Sequence, residues 1–181
     1  MITRLDPADY RRTPWKNGGG VTVDIAEDGD VWRFGRTPIT APGPFSDYSG
    51  FDRLQVLVAG RGLVLQSPDG EIDVRTPLKP VRFAGEIRIM SRLESGPVEV
   101  VNLIGERAKV QIDLQVLQAG ASLGRSAGTH IVYAASGPAA LTVEREAHRL
   151  RADHALRIEI SRPTMIACTE GVLLLGSVIC V

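Results

Sequence analysis

The residues with the clearest potential for chemistry stand close together in the segment Pro14–Gly20. Trp15 offers a flat aromatic surface, Lys16 a cation and Asn17 an amide, directly before three consecutive glycines. A run of glycines lets the backbone take positive φ angles and approach a bound molecule closely. The segment therefore predicts a ligand-binding loop. The alternative is a tight corner between two strands, with Trp15 packed against the core.

A second group of polar residues lies on segments with the pattern of β-strands. Arg33, Arg36 and Arg53 carry guanidinium groups, and two of them pointing inward would form an anion site that suits a carboxylate. Asn102 interrupts an apolar strand face, where an unpaired amide costs about 1–3 kcal/mol, so it must bind neighbouring groups or face a polar cavity. The predicted ligand-binding residues are Trp15, Lys16, Asn17, Arg33, Arg36, Arg53 and Asn102.

Metal and nucleophile chemistry have little support in the sequence. The three histidines, His130, His148 and His154, form no His-x-His pair, whereas zinc and iron sites gather three or four ligands. No phosphate-binding loop or nucleophile elbow stands in a suitable context. We therefore expect no metal, no cofactor and no catalytic residue. The open alternative is a metal-free enzyme of the isomerase or lyase type, with Lys16 or Glu99 transferring protons.

The composition is that of an ordinary globular protein with a sizeable core. Hydrophobic residues make up 44% of the 181 residues, and the formal net charge is zero. A neutral chain gives no reason to expect nucleic acid or an anionic membrane as a partner. The amino terminus lacks a signal-peptide pattern, and no apolar run reaches about 18 residues, so we expect a cytoplasmic location. Cys168 and Cys180 are expected to be free thiols.

These residues must be positioned by strands, because helical periodicity is absent and strands and turns alternate roughly every 8–12 residues. The pattern predicts an all-β sandwich or barrel. Arg53 and Gln55 share one face of the strand that follows residue 50. The preceding segment Ala41–Gly50 is rich in Pro, Gly and Ser and predicts a long ordered loop anchored by Phe45 and Tyr48.

The second half of the chain repeats the plan of the first. His130–Gly137 resembles Arg53–Gly60 at an offset of 77 residues, and Glu170–Ile179 resembles Ser95–Ile104 at an offset of 75. Two nearly equal offsets predict a duplicated β unit. The predicted counterparts of Arg53, Gln55 and Asn102 are His130, Val132 and Ser177, so the halves are chemically unequal.

Motifs in the first half resemble those of the HutD/Ves family, and they cover roughly residues 5–105. They are Pro14–Gly20 with Thr22 and Ile25, Trp32-Arg33, Gly43–Ser46, Gly50–Arg53, Val56-Leu57 with Gly60 and Gly62, Leu78–Pro80 with Arg82, Phe83 and Gly85, and Gly96–Val98 with Asn102-Leu103. The resemblance implies a bicupin fold, in which two tandem cupin-type β-barrels or jelly rolls with little helix span residues 1–108 and 109–181.

The resemblance also implies a role in bacterial histidine utilisation. The family is associated with a non-catalytic small-molecule binder that regulates or limits this pathway, with a carboxylate such as N-formylglutamate or urocanate as the expected ligand. Arg53 would then pair with the carboxylate, Asn102 and Lys16 would form hydrogen bonds, and Trp15 would cover the apolar part. Trp32 and Phe45 are expected to line or buttress the pocket. A further alternative is a dimeric interaction protein that uses the loop Ala41–Gly50, and a homodimer is among the expected assemblies.

Overall fold

The computed structural model describes residues 1–15 and 18–181. Regular structure in these residues consists of strands and one short 3-10 helix, Pro7–Asp9, whose N-cap Asp6 accepts a hydrogen bond from the Ala8 amide. The predicted all-β class is therefore confirmed. The chain forms two compact units: the first unit contains residues 11–110, and the second unit contains residues 1–10 and 111–181.

Each unit contains two antiparallel sheets. The described strands are β1 (Ile2–Leu5), β2 (Arg11–Pro14), β3 (Val21–Asp28), β4 (Trp32–Ile39), β5 (Gly43–Pro44), β6 (Phe51–Ala59), β7 (Leu63–Ser67), β8 (Gly70–Val74), β9 (Val81–Ala84), β10 (Met90–Leu93), β11 (Val98–Glu106), β12 (Val110–Gln118), β13 (Ser122–Arg125), β14 (Gly128–Tyr133), β15 (Ala139–Val143), β16 (Glu146–Leu150), β17 (Ala155–Ile160), β18 (Thr164–Glu170) and β19 (Val172–Cys180).

The first unit pairs a six-stranded sheet of order β2-β3-β4-β11-β6-β9 with a four-stranded sheet of order β5-β10-β7-β8. Its core lies between them, where Leu57 and Val100 of the larger sheet meet Leu63 and Leu65 of the smaller one, all fully buried. Each such side chain contributes about 1.5–3 kcal/mol of hydrophobic stabilisation. This packing fixes the larger sheet, which carries the predicted site residues.

The second unit pairs a sheet of order β1-β17-β14-β19-β12 with one of order β13-β18-β15-β16. Its first strand comes from the amino terminus: β1 pairs with β17, and the Tyr10 hydroxyl donates to the Asp153 carbonyl at 2.7 Å. The expected division at residue 108 therefore differs from the structure for residues 1–10. Alternation within a short segment identifies a strand, but it does not identify the sheet to which that strand is added.

The two units share one plan of strand pairing. The hairpin β7–β8 and the hairpin β15–β16 have the same register, and β11 beside β6 corresponds to β19 beside β14. In these ladders Gln55 lies opposite Asn102 and His130 lies opposite Ser177. The counterpart of His130 is therefore Gln55, at an offset of 75 rather than 77, and the position equivalent to Arg53 is Gly128.

Strand pairing among the described residues leaves the two sheets of each unit separate and does not join them into a closed barrel. The units are thus two-sheet structures and not closed barrels. Nowhere in residues 1–15 and 18–181 is there a helix of the length and apolar character needed to cross a membrane.

Candidate functional site

The inward face of the six-stranded sheet changes from apolar to polar at one end. On β6 the inward side chains run from Leu57 in the core to Gln55 and then Arg53, and on β11 they run from Val100 to Asn102. Because Gln55 and Asn102 are cross-strand neighbours, the polar ends of the two strands coincide. The first unit therefore carries a polar site where its apolar core ends.

Two adjoining cavities occupy this end of the first unit. The inner cavity has a volume of about 50 Å³ and lies between β3, β4, β6 and β11 and the loop that carries Phe45, Ser46 and Tyr48. The outer cavity has a volume of about 410 Å³ and shares Tyr48, Trp15 and Arg33 with it as lining residues. The inner cavity has room for a few water-sized groups, and the outer cavity has room for the rest of a small metabolite.

Arg53 is the most unusual residue of the inner cavity. Its side chain is only 7% exposed, and its guanidinium carbon lies 5.1 Å from the ring centres of Phe45 and Phe83 and 5.3 Å from that of Tyr48. One nitrogen donates to the Ser46 carbonyl at 3.5 Å. Among the described residues, Nε has no hydrogen-bond partner and no carboxylate forms an ion pair with the group. Burial lowers the pKa of Arg53 to about 10, so it remains a cation at neutral pH.

A chain of hydrogen bonds runs along the wall of the inner cavity. Trp15 Nε1 donates to Thr22 Oγ1 at 3.1 Å, which lies 2.9 Å from Thr37 Oγ1. Asn102 Nδ2 donates to the same Thr37 oxygen at 3.5 Å, and Asn102 Oδ1 accepts a hydrogen bond from Gln55 Nε2 at 3.0 Å. Gln55 Oε1 has no partner among the described residues. Asn102 thus binds a neighbouring side chain and also faces a cavity.

Arg33 and Arg36 are placed differently, although both lie on β4. Arg33 lines both cavities, and its Nε lies 3.3 Å from Asp24 Oδ1. Arg36 borders neither cavity and donates from Nε to Glu99 at 2.8 Å. The expectation that Arg36 belongs to the site therefore does not match its position, because alternate residues of a strand point to opposite faces. Glu99, the candidate for proton transfer, is engaged in the same ion pair.

The structure therefore brings together Trp15, Arg33, Arg53 and Asn102 of the predicted set. Lys16 and Asn17 lie outside the described residues, so their predicted roles stay predictions. Phe45 lines the inner cavity and Trp32 the outer one, in agreement with their expected positions.

Several lining residues were not among the predicted site residues: Thr22, Thr37, Gln55, Ser46 and Tyr48. Some of them follow from the period of two along each strand, because Gln55 shares its face with Arg53, and Thr37 shares its face with Arg33. Ser46 and Tyr48 have no such signal, since a loop has no fixed periodicity. Across the described parts of the chain, no three His, Cys, Asp or Glu side chains gather as a metal-binding group.

The corresponding position in the second unit is closed by protein contacts. His130 is fully buried, with Nδ1 2.9 Å from Ser177 Oγ and Nε2 3.0 Å from the Ser126 carbonyl. A neutral ring satisfies both contacts when Nε2 donates and Nδ1 accepts. In the first unit, the Gln55–Asn102 pair faces a cavity and leaves one oxygen without a partner among the described residues. In the second unit, both ring nitrogens of His130 in the His130–Ser177 pair have hydrogen-bond partners.

Burial of His130 predicts a loss of stability in mild acid. Burial lowers its pKa from the ordinary value of 6.5, so the unfolded chain binds a proton before the folded chain does. Stability from this group is complete above about pH 6.5 and falls as the pH decreases towards the folded-state pKa. Between about pH 7.5 and 5.5, the parent should lose more unfolding free energy than His130→Gln, measured by urea denaturation. Equal losses in the two proteins would contradict this assignment.

The fold and the cavity define the class of the protein: it is an all-β protein with cupin-like structural neighbours and a polar cavity in one of two similar units. A conserved protein of Pseudomonas aeruginosa PAO1 shares the fold with a TM-score of 0.88 at 23% identity, over 100% of both chains. HutD from Pseudomonas fluorescens SBW25 has a TM-score of 0.83 at 26% identity, also over 100% of both chains.

The sequence comparisons show the family directly. The HutD family profile matches residues 7–175. An uncharacterized 21.2 kDa protein in the hutC 3' region of Pseudomonas putida is 32% identical over 166 residues, which are 88% of this chain and 87% of that protein. The chain belongs to the HutD family, which is linked to the histidine-utilisation locus.

Proposed function

We propose that this protein is a non-catalytic receptor for a small carboxylate metabolite of histidine utilisation, and that it regulates the pathway by sensing that metabolite. The observation that carries the proposal is the buried guanidinium of Arg53, which faces the inner cavity without a carboxylate partner among the described residues. Its location in one unit only, with Gly128 at the equivalent position, supports a specific site rather than a general feature of the fold.

A carboxylate is the ligand group that this environment favours. Removing a cation from water is costly unless an anion or several acceptors compensate for the lost hydration. The rings of Phe45, Tyr48 and Phe83 provide partial compensation through cation–π attraction, worth about 0.5–2 kcal/mol. A ligand carboxylate would supply the missing charge and accept from the unpaired Nε of Arg53.

The size of the two cavities supports a metabolite with a carboxylate at one end. The inner cavity would hold the carboxylate beside Arg53, and the outer cavity would hold the remainder against Trp15. Gln55 and Asn102 would contact the ligand near the carboxylate. Urocanate and N-formylglutamate are the candidates to test, because the family is linked to histidine utilisation.

We also propose that the two units are tandem cupin-type domains, the bicupin arrangement. The support is their common plan of strand pairing and the fold shared with cupin-like structures. A cytoplasmic location is proposed as well, because pathway intermediates would reach the receptor there.

Calorimetric titration with urocanate and N-formylglutamate tests the proposed function. We expect saturable binding of at least one of them, and Arg53→Ala should weaken it by at least tenfold because the ligand loses its only unpaired cation in the described cavity wall. Arg36→Ala is the matched control, since it removes from β4 a guanidinium that borders neither cavity, and the affinity of this variant should stay within twofold of the parent.

Three outcomes would contradict the proposal. The first is no binding of either metabolite, and the second is equal binding by the parent and Arg53→Ala. The third is chemical conversion of the ligand, detected by NMR spectroscopy during the titration, which would favour the metal-free enzyme.

In the host, a chromosomal Arg53→Ala substitution should alter expression of the histidine-utilisation genes in the same direction as deletion of the whole gene.

A further inference from the structure

The hydrogen-bond chain of the inner cavity has a fixed direction at its outer end. The indole N–H of Trp15 can only donate, and it donates to Thr22 Oγ1 at 3.1 Å. Thr22 Oγ1 lies 2.9 Å from Thr37 Oγ1, and either hydroxyl can donate in that contact. When Thr22 accepts from Trp15 and donates to Thr37, the hydroxyl of Thr37 needs an acceptor of its own.

Asn102 does not provide that acceptor in the arrangement of this structure. Its Nδ2 faces Thr37 at 3.5 Å, so a donor meets a hydroxyl whose oxygen already serves as a partner for Thr22. One of the two threonine hydroxyl hydrogens therefore has no acceptor among the described residues. At the inner end of the chain, Oε1 of the fully buried Gln55 has no donor in the same part of the protein. Unpaired buried groups of this kind are costly.

Turning both amides over removes both defects. A rotation of about 180° about the last side-chain bond exchanges the oxygen and the nitrogen of an amide and leaves its shape almost unchanged. Thr37 then donates to the Asn102 oxygen, and the Asn102 nitrogen donates to the Gln55 oxygen. All donors point the same way, which strengthens such a chain cooperatively. The Gln55 nitrogen is left as a free donor in the wall of the inner cavity.

The rotated arrangement suits a carboxylate. Gln55 and Arg53 share one face of β6 and line the same cavity of about 50 Å³, so a single carboxylate there would contact both side chains. A carboxylate only accepts hydrogen bonds. It would be repelled by the Gln55 oxygen, whereas the Gln55 nitrogen would donate to it. A bound carboxylate therefore favours the rotated arrangement.

We propose that carboxylate binding turns over the amides of Gln55 and Asn102, so that Gln55 becomes a second donor to the carboxylate beside Arg53. The indole and the two threonine hydroxyls of the chain are positioning groups, because they hold the rotated arrangement through the direction of their hydrogen bonds. The proposal rests on the proposed function, since it assumes that a carboxylate occupies the inner cavity.

NMR spectroscopy of the Gln55 side chain tests the rotation directly. N-Formylglutamate and urocanate are the probes, and the NH2 signals of Gln55 are assigned by their loss in Gln55→Leu. With a bound probe, we expect nuclear Overhauser effects between these NH2 hydrogens and the ligand hydrogens nearest the carboxylate. If the NH2 hydrogens of Gln55 remain close to Asn102 and show no such effect while a probe is bound, the rotation is disproved.

Thr37→Val tests the role of the chain, because it removes the hydroxyl that donates to Asn102 and keeps the shape of the side chain. The affinity for the probes should fall by about fivefold, within the range for one lost hydrogen bond. Thr37→Ser keeps the hydroxyl, and its affinity should stay within about twofold of the parent. If Thr37 acted only through packing, serine would be the more harmful change, and that order of effects would overturn the proposal.

Trp15→Phe tests the outer end of the chain in two backgrounds. Phenylalanine keeps an aromatic ring and lacks the N–H, so the substitution should cost about threefold more affinity in the parent than in Thr22→Val, where the chain is already interrupted. Equal costs in the two backgrounds would remove Trp15 from the chain.

The outcomes separate this inference from the proposed function. If Thr37→Val does not fold, the NMR signals of the parent still decide whether the amides rotate. Binding that Arg53→Ala weakens and Thr37→Val leaves unchanged would contradict the hydrogen-bond chain alone. Absence of binding by both probes would contradict the proposed function itself, and the rotation with it.

Discussion

Arg53→Met should raise the stability of the ligand-free protein while it removes carboxylate binding. Burial lowers the pKa of Arg53 from its ordinary value to about 10, which corresponds to roughly 3 kcal/mol of unfavourable burial. Because the folded state disfavours the cation, this cost is fully present below about pH 10 and includes neutral pH. Methionine fills a similar volume among Phe45, Tyr48 and Phe83 without a charge, and such replacements of buried charges are often stabilising by about 1–4 kcal/mol.

The measurements are urea denaturation and calorimetric titration of the same samples. We expect an increase of about 1–3 kcal/mol in the free energy of unfolding and at least a hundredfold loss of affinity. Arg82→Met, which removes an exposed arginine paired with Asp52, should change neither quantity substantially. If Arg53→Met instead destabilises the protein and leaves ligand binding intact, Arg53 is a structural residue and the carboxylate site lies elsewhere.

Gly85→Ala should disturb the loop that closes the inner cavity. An added Cβ would overlap the carbonyl oxygen of Tyr48 and lie 2.9 Å from that of Phe51, and neither backbone can yield easily. The Tyr48 amide donates to the Gly85 carbonyl at 3.0 Å, and the Gly85 amide donates to the Phe51 carbonyl at 2.8 Å. The substitution should cost about 1–3 kcal/mol of unfolding free energy, and it should weaken ligand binding at least tenfold because Tyr48 is displaced.

Gly43→Ala is the appropriate comparison, since Gly43 lies in β5, directly before the loop that carries Tyr48, and an added Cβ there has no neighbour within 4 Å. We expect its unfolding free energy to stay within about 0.5 kcal/mol of the parent. Parent-like stability and affinity for Gly85→Ala would show that the loop can move away without consequence. The close packing of Gly85 would then have no role in shaping the site.

The sequence predicted the parts of the site that depend on strand geometry. Alternation along β6 placed Arg53 and Gln55 on one face, and the isolated amide of Asn102 on an apolar strand face predicted either bound neighbouring groups or a polar cavity. Both inferences need only the two-residue alternation of side chains along a strand and the cost of burying a polar group, so they can be made without knowledge of the fold. The duplication was also visible, although the register of the sheets was needed to pair His130 with Gln55.

Other parts of the site depend on contacts that no local pattern records. The aromatic rings around Arg53 come from Phe45, Tyr48 and Phe83, which are brought together only by the folded loop and by β9. The pairing of Arg33 with Asp24 follows a register shift between Asp24 and Ala26, and such an irregularity cannot be read from alternation. Arg33 and Arg36 are the same residue type on the same strand, so only their positions in the sheet determine that Arg33 lines the cavities and Arg36 does not.

The two tryptophans of the chain, Trp15 and Trp32, both line the outer cavity. The second unit contains no indole at all. Selective excitation of tryptophan fluorescence therefore reports on this one region of the molecule, without a label and without background from the other unit. A metabolite that binds beside these rings would change the tryptophan emission, so its binding can be followed in the wild-type protein by intrinsic fluorescence.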